Sequence, residues 1–534
     1  MALLLNELKV PLSEQESSLI FIAAGALHVP ASAIQTLTVV RVSLDARKKT
    51  DVHHRYTVRV ELNEKDEKNV LAKGLSNVTD EPEYEDYSPA TGTKSMHEPV
   101  VVAGMGPAGL FAAYTLALYG YRPVVLERGK PTGDRERDVQ AFWAGGPLNP
   151  ESNLMFGEGG AGAFSDGKLT TRIKDPRARE VIKILHRFGA PDETLTLAKP
   201  HLGTDLLRGV IEAMRAEIIR LGGEVRFSTG LSRVRIAEGV LKQVEATRLG
   251  QAHWLTCCAC ILATGQAARD TYAMLHRAGV PLQAKPFAVG VRVEHPQELI
   301  DRSQYGPFTG HPRLGAAQYR LASRSGSRGV YTFCMCPGGL VVASSSGYGQ
   351  VVTNGMSYHA RNGEYANSAI VVQIDPADFG HDPMMGIQYQ SDLEKRAFKL
   401  GGGDYTAPAQ RVEDFLKGRA SSGFGAVTPT YRPGVRACYI GDCLPNYVAA
   451  AVREGIRDFG KKLQGFDFAD AALTAVESRT SAPVRIVRDQ DGQSPGAAGL
   501  YPAGEGAGYA GGIVSAAVDG MRAAERIMAV YAPA

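Results

Sequence analysis

The sequence predicts an α/β chain in three parts: a small N-terminal α+β unit, a β–α–β domain, and a β-rich segment inserted into that domain. Three observations predict this. "VVVAGMGPAGLFAAYTLALYGYRPVVLERG", Val100 to Gly129, reads as strand, glycine turn, small-residue helix and second strand. "GLYPAGEGAGYAGGIVSAAVDG", from Gly499, repeats strand, glycine turn and helix at the far end of the chain. Between them, from about residue 280, lie β-branched runs that turn helical towards residue 475.

Length and composition set the frame. A chain of 534 residues holds two to four domains at about 150 residues each. With 44% hydrophobic and 22% charged residues it reads as globular. A net charge of +3 is too weak to argue for nucleic acid or an anionic membrane as a main partner, and a small-molecule substrate is expected. Seven cysteines, an odd number in a long chain, suit free thiols in a reducing compartment. No CxxC pairs with another, so no metal site is expected. "MALLLNELKVPLSEQ" lacks a basic leader and a cleavage site, and no run of about twenty apolar residues occurs. The expected location is cytoplasmic, without a membrane span.

Residues 1–75 form the small α+β unit. "LLLNELKVPL" reads as a strand, and Ser13 with Glu16 suggests a capping box before the helix in "SLIFIAAGAL". "TLTVVRVSLDAR" and "HRYTVRVEL" read as strands; in the second, Tyr56, Val58, Val60 and Leu62 alternate with polar residues. "NEKDEKNVLAKG" is a helix closed by Gly74. "DARKKTDVHHRYTVR" is locally basic but interrupted by Asp45 and Asp51, which suits a solvated face. Residues 76–98, acidic and proline-containing, read as a linker. The first part of the β–α–β domain is placed at 99–275, the insertion at 276–480 and the C-terminal part at 481–534.

Gly104, Gly106 and Gly109 form G-x-G-x-x-G between a strand and a helix opened by Pro107 and Ala108. The first glycine makes the tight turn, the second admits a pyrophosphate, and the third lets helix and strand pack closely. The pyrophosphate would sit on the helix N-terminus, where unpaired N–H groups face it. Glu127, followed by Arg128, ends the second strand where a carboxylate can hold an adenosine ribose.

Two more segments favour FAD over NAD. "ILATG" brings a strand to Ala263, Thr264 and Gly265, in the position where such flavoproteins return to the adenine half. The C-terminal strand delivers Gly504 and Glu505 to the ribityl–phosphate region, and a helix starts after Gly511 and Gly512 at Ile513. Its N–H groups would face the N1/C2=O edge of the flavin and stabilise negative charge there. The fold class is therefore α/β, a Rossmann-like (ββα) FAD-binding domain with an inserted β-rich substrate domain and a small N-terminal α+β domain.

These segments, with "NLMFGEGGAGAFSDGKL", "PHLGTD", "FAVGVRVEHPQELID", "YTFCMCPGG" and "NGMSYHARNGEYANSA", resemble a bacterial family of FAD-dependent, or NAD(FAD)-utilising, dehydrogenases. That family is similar to flavoproteins with the glutathione reductase type of FAD fold. The resemblance covers residue 97 to the end and touches "SLDARKK". It implies an FAD-dependent oxidoreductase in which hydride passes between flavin N5 and a small-molecule substrate or acceptor. No second strand–GxGxxG–helix unit occurs, so NAD(P)H could serve only as a transient donor. A flavin monooxygenase and a non-catalytic, FAD-binding or RNA-associated protein are the alternatives.

The resemblance also places Gly159, Gly160 and Gly162 against the flavin, with Ser165, Asp166 and Lys168 near the ring. Gly162 to Lys168 fits G-x-x-x-x-G-K, but Leu169 has no hydroxyl for magnesium and no strand precedes it, which excludes a P-loop. Cys334 and Cys336 read either as a thiol pair exchanging electrons with flavin or as two small core residues; CxC rather than CxxC favours the core. His201 is a candidate acid–base group, with a structural role as its alternative, and Thr204 or Asp205 a candidate helix cap. Arg292 and Glu294 alternate in "VGVRVEHP", on a face expected to meet substrate or solvent.

Overall fold

The computed structural model describes residues 2–81 and 87–533. The N-terminal unit is a four-stranded antiparallel sheet. Leu3–Pro11 lies between His53–Leu62 and Val78–Asp80, and Ile34–Asp45 forms the far edge. The helices Leu19–Leu27 and Glu64–Ala72 connect the strands as two interleaved β–α–β units. Tyr56, Val58, Val60 and Leu62 all point into its core. Asn63 caps the second helix through the Asp66 N–H at 2.9 Å.

Two expectations for this region are corrected. No Ser13–Glu16 capping box forms: a 3-10 turn at Glu16–Ser18 precedes the helix, which starts at Leu19, and Glu16 accepts from the Tyr56 hydroxyl instead. The stretch 76–98 is not simply a linker. Val78–Asp80 is the last strand of the N-terminal sheet, and Gly92 and Lys94 bond the carbonyls of Met528 and Val530 at the end of the C-terminal helix. Its residues 82–86 lie outside the described residues.

A parallel five-stranded sheet carries the glycine motifs. Its order is Leu500–Pro502, Ala259–Leu262, Val100–Ala103, Val124–Leu126, Glu224–Arg226. Parallel strands buried on both faces read as continuous apolar runs, which is what "VVVA" and "ACIL" are. The helices Pro107–Leu118 and Ile513–Met528 pack side by side on it. A Cβ at Gly520 would lie 1.9 Å from the Ala108 carbonyl oxygen, so this crossing needs glycine.

Residues 286–480 build a mixed seven-stranded sheet with Phe287–Pro296 near its centre, between Tyr365–Ile374 and Ala472–Glu477. Arg328–Cys336 follows on one side and Ala407–Arg411 on the other, and Ala322–Ser325 and Val435–Ala437 form the edges. The inserted segment shares one continuous hydrophobic core with the parallel-sheet domain. The N-terminal unit keeps its own core but docks on the rest: the Ala198 N–H donates to the Val42 carbonyl at 2.8 Å, and Arg313 bonds carbonyls of Pro11 and Glu14. Among the described residues no helix is long and apolar enough to cross a membrane.

Candidate functional site

A cleft of about 420 Å³ runs from the ends of the parallel strands to inner strands of the seven-stranded sheet. In open parallel sheets, ligands bind outside the carboxyl ends of the strands. One wall is Gly104–Ala108, and beside it stand Leu126, Glu127 and Arg128. Ala263–Ala268, Ala503–Glu505 and Gly511–Ile513 form the second wall, and Gly160–Gly162 with Ser165–Lys168 the third. Segments 400 residues apart in the chain thus face one space.

Backbone packing explains the glycines. Gly104 adopts φ +98°, and a Cβ there would sit 2.4 Å from the Ala263 carbonyl oxygen. A Cβ at Gly109 would sit 1.9 Å from the Gly104 carbonyl oxygen, so this glycine packs helix on strand and does not face the cleft. Gly106 caps the helix at Pro107 and meets only the Gly160 Cα, at 3.8 Å. At Gly265, Gly511 and Gly512 a Cβ would meet nothing within 4 Å. The turn, the helix start and the loop therefore present bare backbone to an elongated space.

Glu127 is buried, and its two carboxylate oxygens accept the N–H groups of Met105 and Gly129, each at 2.8 Å. It pins the glycine turn as well as facing the cleft. Arg128 pairs with Asp270 at 2.6 Å and Glu151 at 3.2 Å and lies over the Phe156 ring. The loop through Glu158 is held by Arg135, which is fully buried and donates to the carbonyls of Asn153, Leu154 and Glu158 at 2.7–2.8 Å. Gly159 stands behind the cleft wall and donates to the Met105 carbonyl at 2.8 Å; with φ +82° its Cβ would strike Ile211.

At the C-terminal wall the Gly504 N–H donates to Asp519 at 2.7 Å, and Asp519 pairs with Arg488 at 2.8 Å. Glu505 accepts from the Gln266 amide at 2.9 Å, and desolvation in the cleft raises its carboxyl to about 7.

The inner end of the cleft is lined by Lys168, Phe333, Cys334, Thr353, Asn354 and Glu477, with Arg479 beyond. Lys168 Nζ pairs with Asp166 at 2.9 Å and bonds the Met335 carbonyl; Asp166 in turn pairs with the buried Arg361 at 2.5 Å. Arg292 lies beneath this floor, fully buried. It pairs with Glu477 at 2.7 Å and donates to Asn367 at 2.8 Å and the Cys334 carbonyl at 3.2 Å. Arg479 and Arg269 clasp the buried Glu394, which they hold down to about 2.

Several expected residues stand elsewhere. His201 does not line the cleft. Its ring stacks on His359 at 5.2 Å, its Nε2 meets the His359 carbonyl at 2.9 Å, and burial lowers it to about 4. Its backbone instead pairs with Lys168 and supports the Gly167 loop. Cys336 lies behind the wall that Cys334 forms. Neither Thr204 nor Asp205 caps the helix Gly203–Arg220; Thr204 donates to the Ala163 carbonyl at 2.6 Å and Asp205 accepts the His359 N–H. Arg292 and Glu294 reach neither solvent nor the cleft, because both faces of their strand are covered. Glu294 accepts from the Thr430 N–H and hydroxyl and is pushed up to about 7 by burial.

Sequence reasoning missed Asn354, Glu477 and Arg479. Their signal was faint: "ALTAVESRTS" passes from an apolar strand to a polar run of five, the pattern of a strand end at a site.

Topology and cleft together define an α/β dinucleotide-binding fold of the Rossmann-like kind. Residues 286–480 match the family model described as FAD-dependent protein, C-terminal domain-like, and residues 3–61 match a domain of unknown function. The chain is 48% identical over 532 residues to an uncharacterized protein of Clostridium beijerinckii, covering 99% of each, and it belongs to the same family. Solved structures are similar at a distance. Quinol fumarate reductase FrdA of E. coli matches with a TM-score of 0.37 and 12% identity, over 81% of this chain and 70% of that one. CtdE in complex with FAD matches with a TM-score of 0.31 and 10% identity, over 81% and 86%.

Proposed function

We propose that the cleft binds one FAD non-covalently and that the protein is an FAD-dependent oxidoreductase acting on a small molecule, with NAD(P)H as a candidate transient donor. The observation that carries this reading is the convergence of three glycine-rich segments on one elongated space, with Gly106, Gly265, Gly511 and Gly512 offering bare backbone to it.

The donor set fits the two ends of the cofactor. The N-terminus of Pro107–Leu118, capped by Gly106, suits the pyrophosphate, and Glu127 suits the adenosine ribose. The N-terminus of Ile513–Met528 suits the pyrimidine edge of the ring, because its free N–H groups and macrodipole favour negative charge. FAD would supply hydride exchange with substrate. The chain's part is to orient the ring and set the charge around it. Lys168, locked by Asp166, places a cation at the inner end, while Glu505, raised to about 7, is a carboxyl that can hold or release a proton near neutral pH.

The test is the cofactor content of purified protein and of Gly106→Val. A valine there would project between the glycine turn and Gly160, into the place assigned to the pyrophosphate. Wild type should carry stoichiometric FAD and the variant none. A folded Gly106→Val protein that keeps its FAD would refute the assignment. Anaerobic mixing with NADH and NADPH, watching flavin absorbance, tests the donor.

A further inference from the structure

The inner end of the cleft holds a feature that the cofactor reading leaves unused. Cys334 and Cys336 end the strand Arg328–Cys336, whose pairing with Tyr365–Ile374 slips between Phe333 and Cys336. Cys334 sits in that irregularity with φ +44°, a left-handed conformation that a cysteine seldom adopts. Irregularities of this kind re-aim a side chain, and backbone strain gathers where it serves a site. Here the result is a half-buried Cys334 in the cleft wall, with Cys336 fully buried directly behind it. The Cys336 thiol also reaches the Cys334 carbonyl, at 3.3 Å. The two sulfurs are thus neighbours, one facing the cleft and one not.

We propose that Cys334, at the cleft wall, and Cys336 behind it form a redox pair that exchanges two electrons with the flavin. The proposal rests on the cofactor reading above for its electron partner.

Charged groups surround the pair. On the Cys334 side face the Lys168 ammonium from the glycine loop and the Arg292 guanidinium from the central strand. Against them stand Glu477 from the neighbouring strand, Asp166 beside Lys168, and Glu505 from the opposite wall. Arg292 pairs with Glu477, and Lys168 shares Asp166 with Arg361, so each cation carries a carboxylate partner. The Cys336 S–H is spent on the Cys334 carbonyl and stands beside the Cys334 sulfur. The neighbouring Cys336 thiol, with the Lys168 and Arg292 cations, brings Cys334 below an ordinary thiol, while a thiolate next to it and burial hold Cys336 well above one.

The step balances. The Cys334 thiolate and the Cys336 thiol join as a disulfide, Cys336 releases its proton, and that proton and two electrons pass to an oxidised flavin. The reverse step opens the disulfide. A bridge across a single intervening residue is strained and so readily reduced, which suits an exchanging pair.

The experiment uses the full chain, as purified and after flavin removal, with iodoacetamide as the probe and mass mapping of each cysteine. Cys334 should be alkylated with a midpoint below that of an ordinary thiol in both forms. At pH 7 it should react about tenfold or more faster than the half-buried Cys438, whose thiol burial raises. Lys168→Met should move the midpoint upward. Diamide should remove 2 Da from the peptide carrying both cysteines, and reductant should restore it. In the flavin-bound form, anaerobic dithionite titration should consume four electrons per FAD, falling to two in Cys334→Ser and in Cys336→Ala. Two electrons in the wild type, or a Cys334 midpoint at an ordinary thiol value, overturns the proposal. Purified protein that neither contains nor takes up FAD overturns the cofactor reading separately, and alkylation and diamide oxidation then decide whether the thiol pair exists.

Discussion

Gly104 stands so close to Ala263 that a Cβ on the glycine would lie 2.4 Å from the alanine carbonyl oxygen. This approach joins the first glycine turn to the end of the neighbouring strand, and so fixes two walls of the cleft. Gly104→Ala should push the walls apart and strain a backbone at φ +98°. The expected result is a folded but less stable protein with at least tenfold weaker FAD binding, read by flavin fluorescence on dilution. Unchanged affinity would mean that the two walls do not hold the cofactor together.

Glu127→Ala should cost more than a cofactor contact. The carboxylate accepts two backbone N–H groups, from Met105 and Gly129, in a buried place. A buried donor left without its partner costs about 1–3 kcal/mol. Both thermal stability and FAD affinity should fall, while the flavin reduction potential barely moves, since the ribose end lies far from the ring. A shifted potential with intact affinity would contradict this placement.

Arg135→Leu should loosen the glycine loop. Three carbonyls lose their donor, at about 1–3 kcal/mol for each buried group left unpaired. Proteolysis within 153–168 should become faster than elsewhere in the chain. A loop as protected as in the wild type would show that its own turns, not Arg135, hold it.

Glu294 gives a pH prediction. Its folded value, about 7, lies above the ordinary carboxyl value of 4.5, so the folded protein binds the extra proton between the two. Its contribution to stability is fully present below about pH 4.5 and is lost as pH rises through about 7. Glu294→Gln should therefore be more stable than wild type at pH 8, by about 1–3 kcal/mol, and should flatten the decline between pH 5 and 8. A steeper decline in the variant would reverse the assignment.

The glycine positions were legible in the sequence because they sit at fixed spacing between a strand and a helix, where a turn with positive φ or a bare backbone is needed. The strands of the N-terminal unit were legible because one face is buried and the other wet, as the alternation in His53–Leu62 records. Arg292 and Glu294 misled for the opposite reason. The strand Phe287–Pro296 is covered on both faces, so alternation there marks no side, and the partners Glu477 and Thr430 lie more than 130 residues away. His201 sat beside a motif and was given chemistry, yet its ring is spent on His359. Cys336 read as core and is buried, whereas Cys334 reaches the cleft only through a pairing slip that no spacing announces.

The central claim is that one FAD lies along the cleft lined by residues 104–108, 160–162, 165–168, 503–505 and 511–513. The measurement that tests it most directly is the ratio of FAD to protein after purification and heat release, with apoprotein titrated by added FAD. The account predicts one FAD per chain in the wild type and none retained by Gly106→Val. Well-folded wild-type protein that is colourless and shows no binding of added FAD would contradict it.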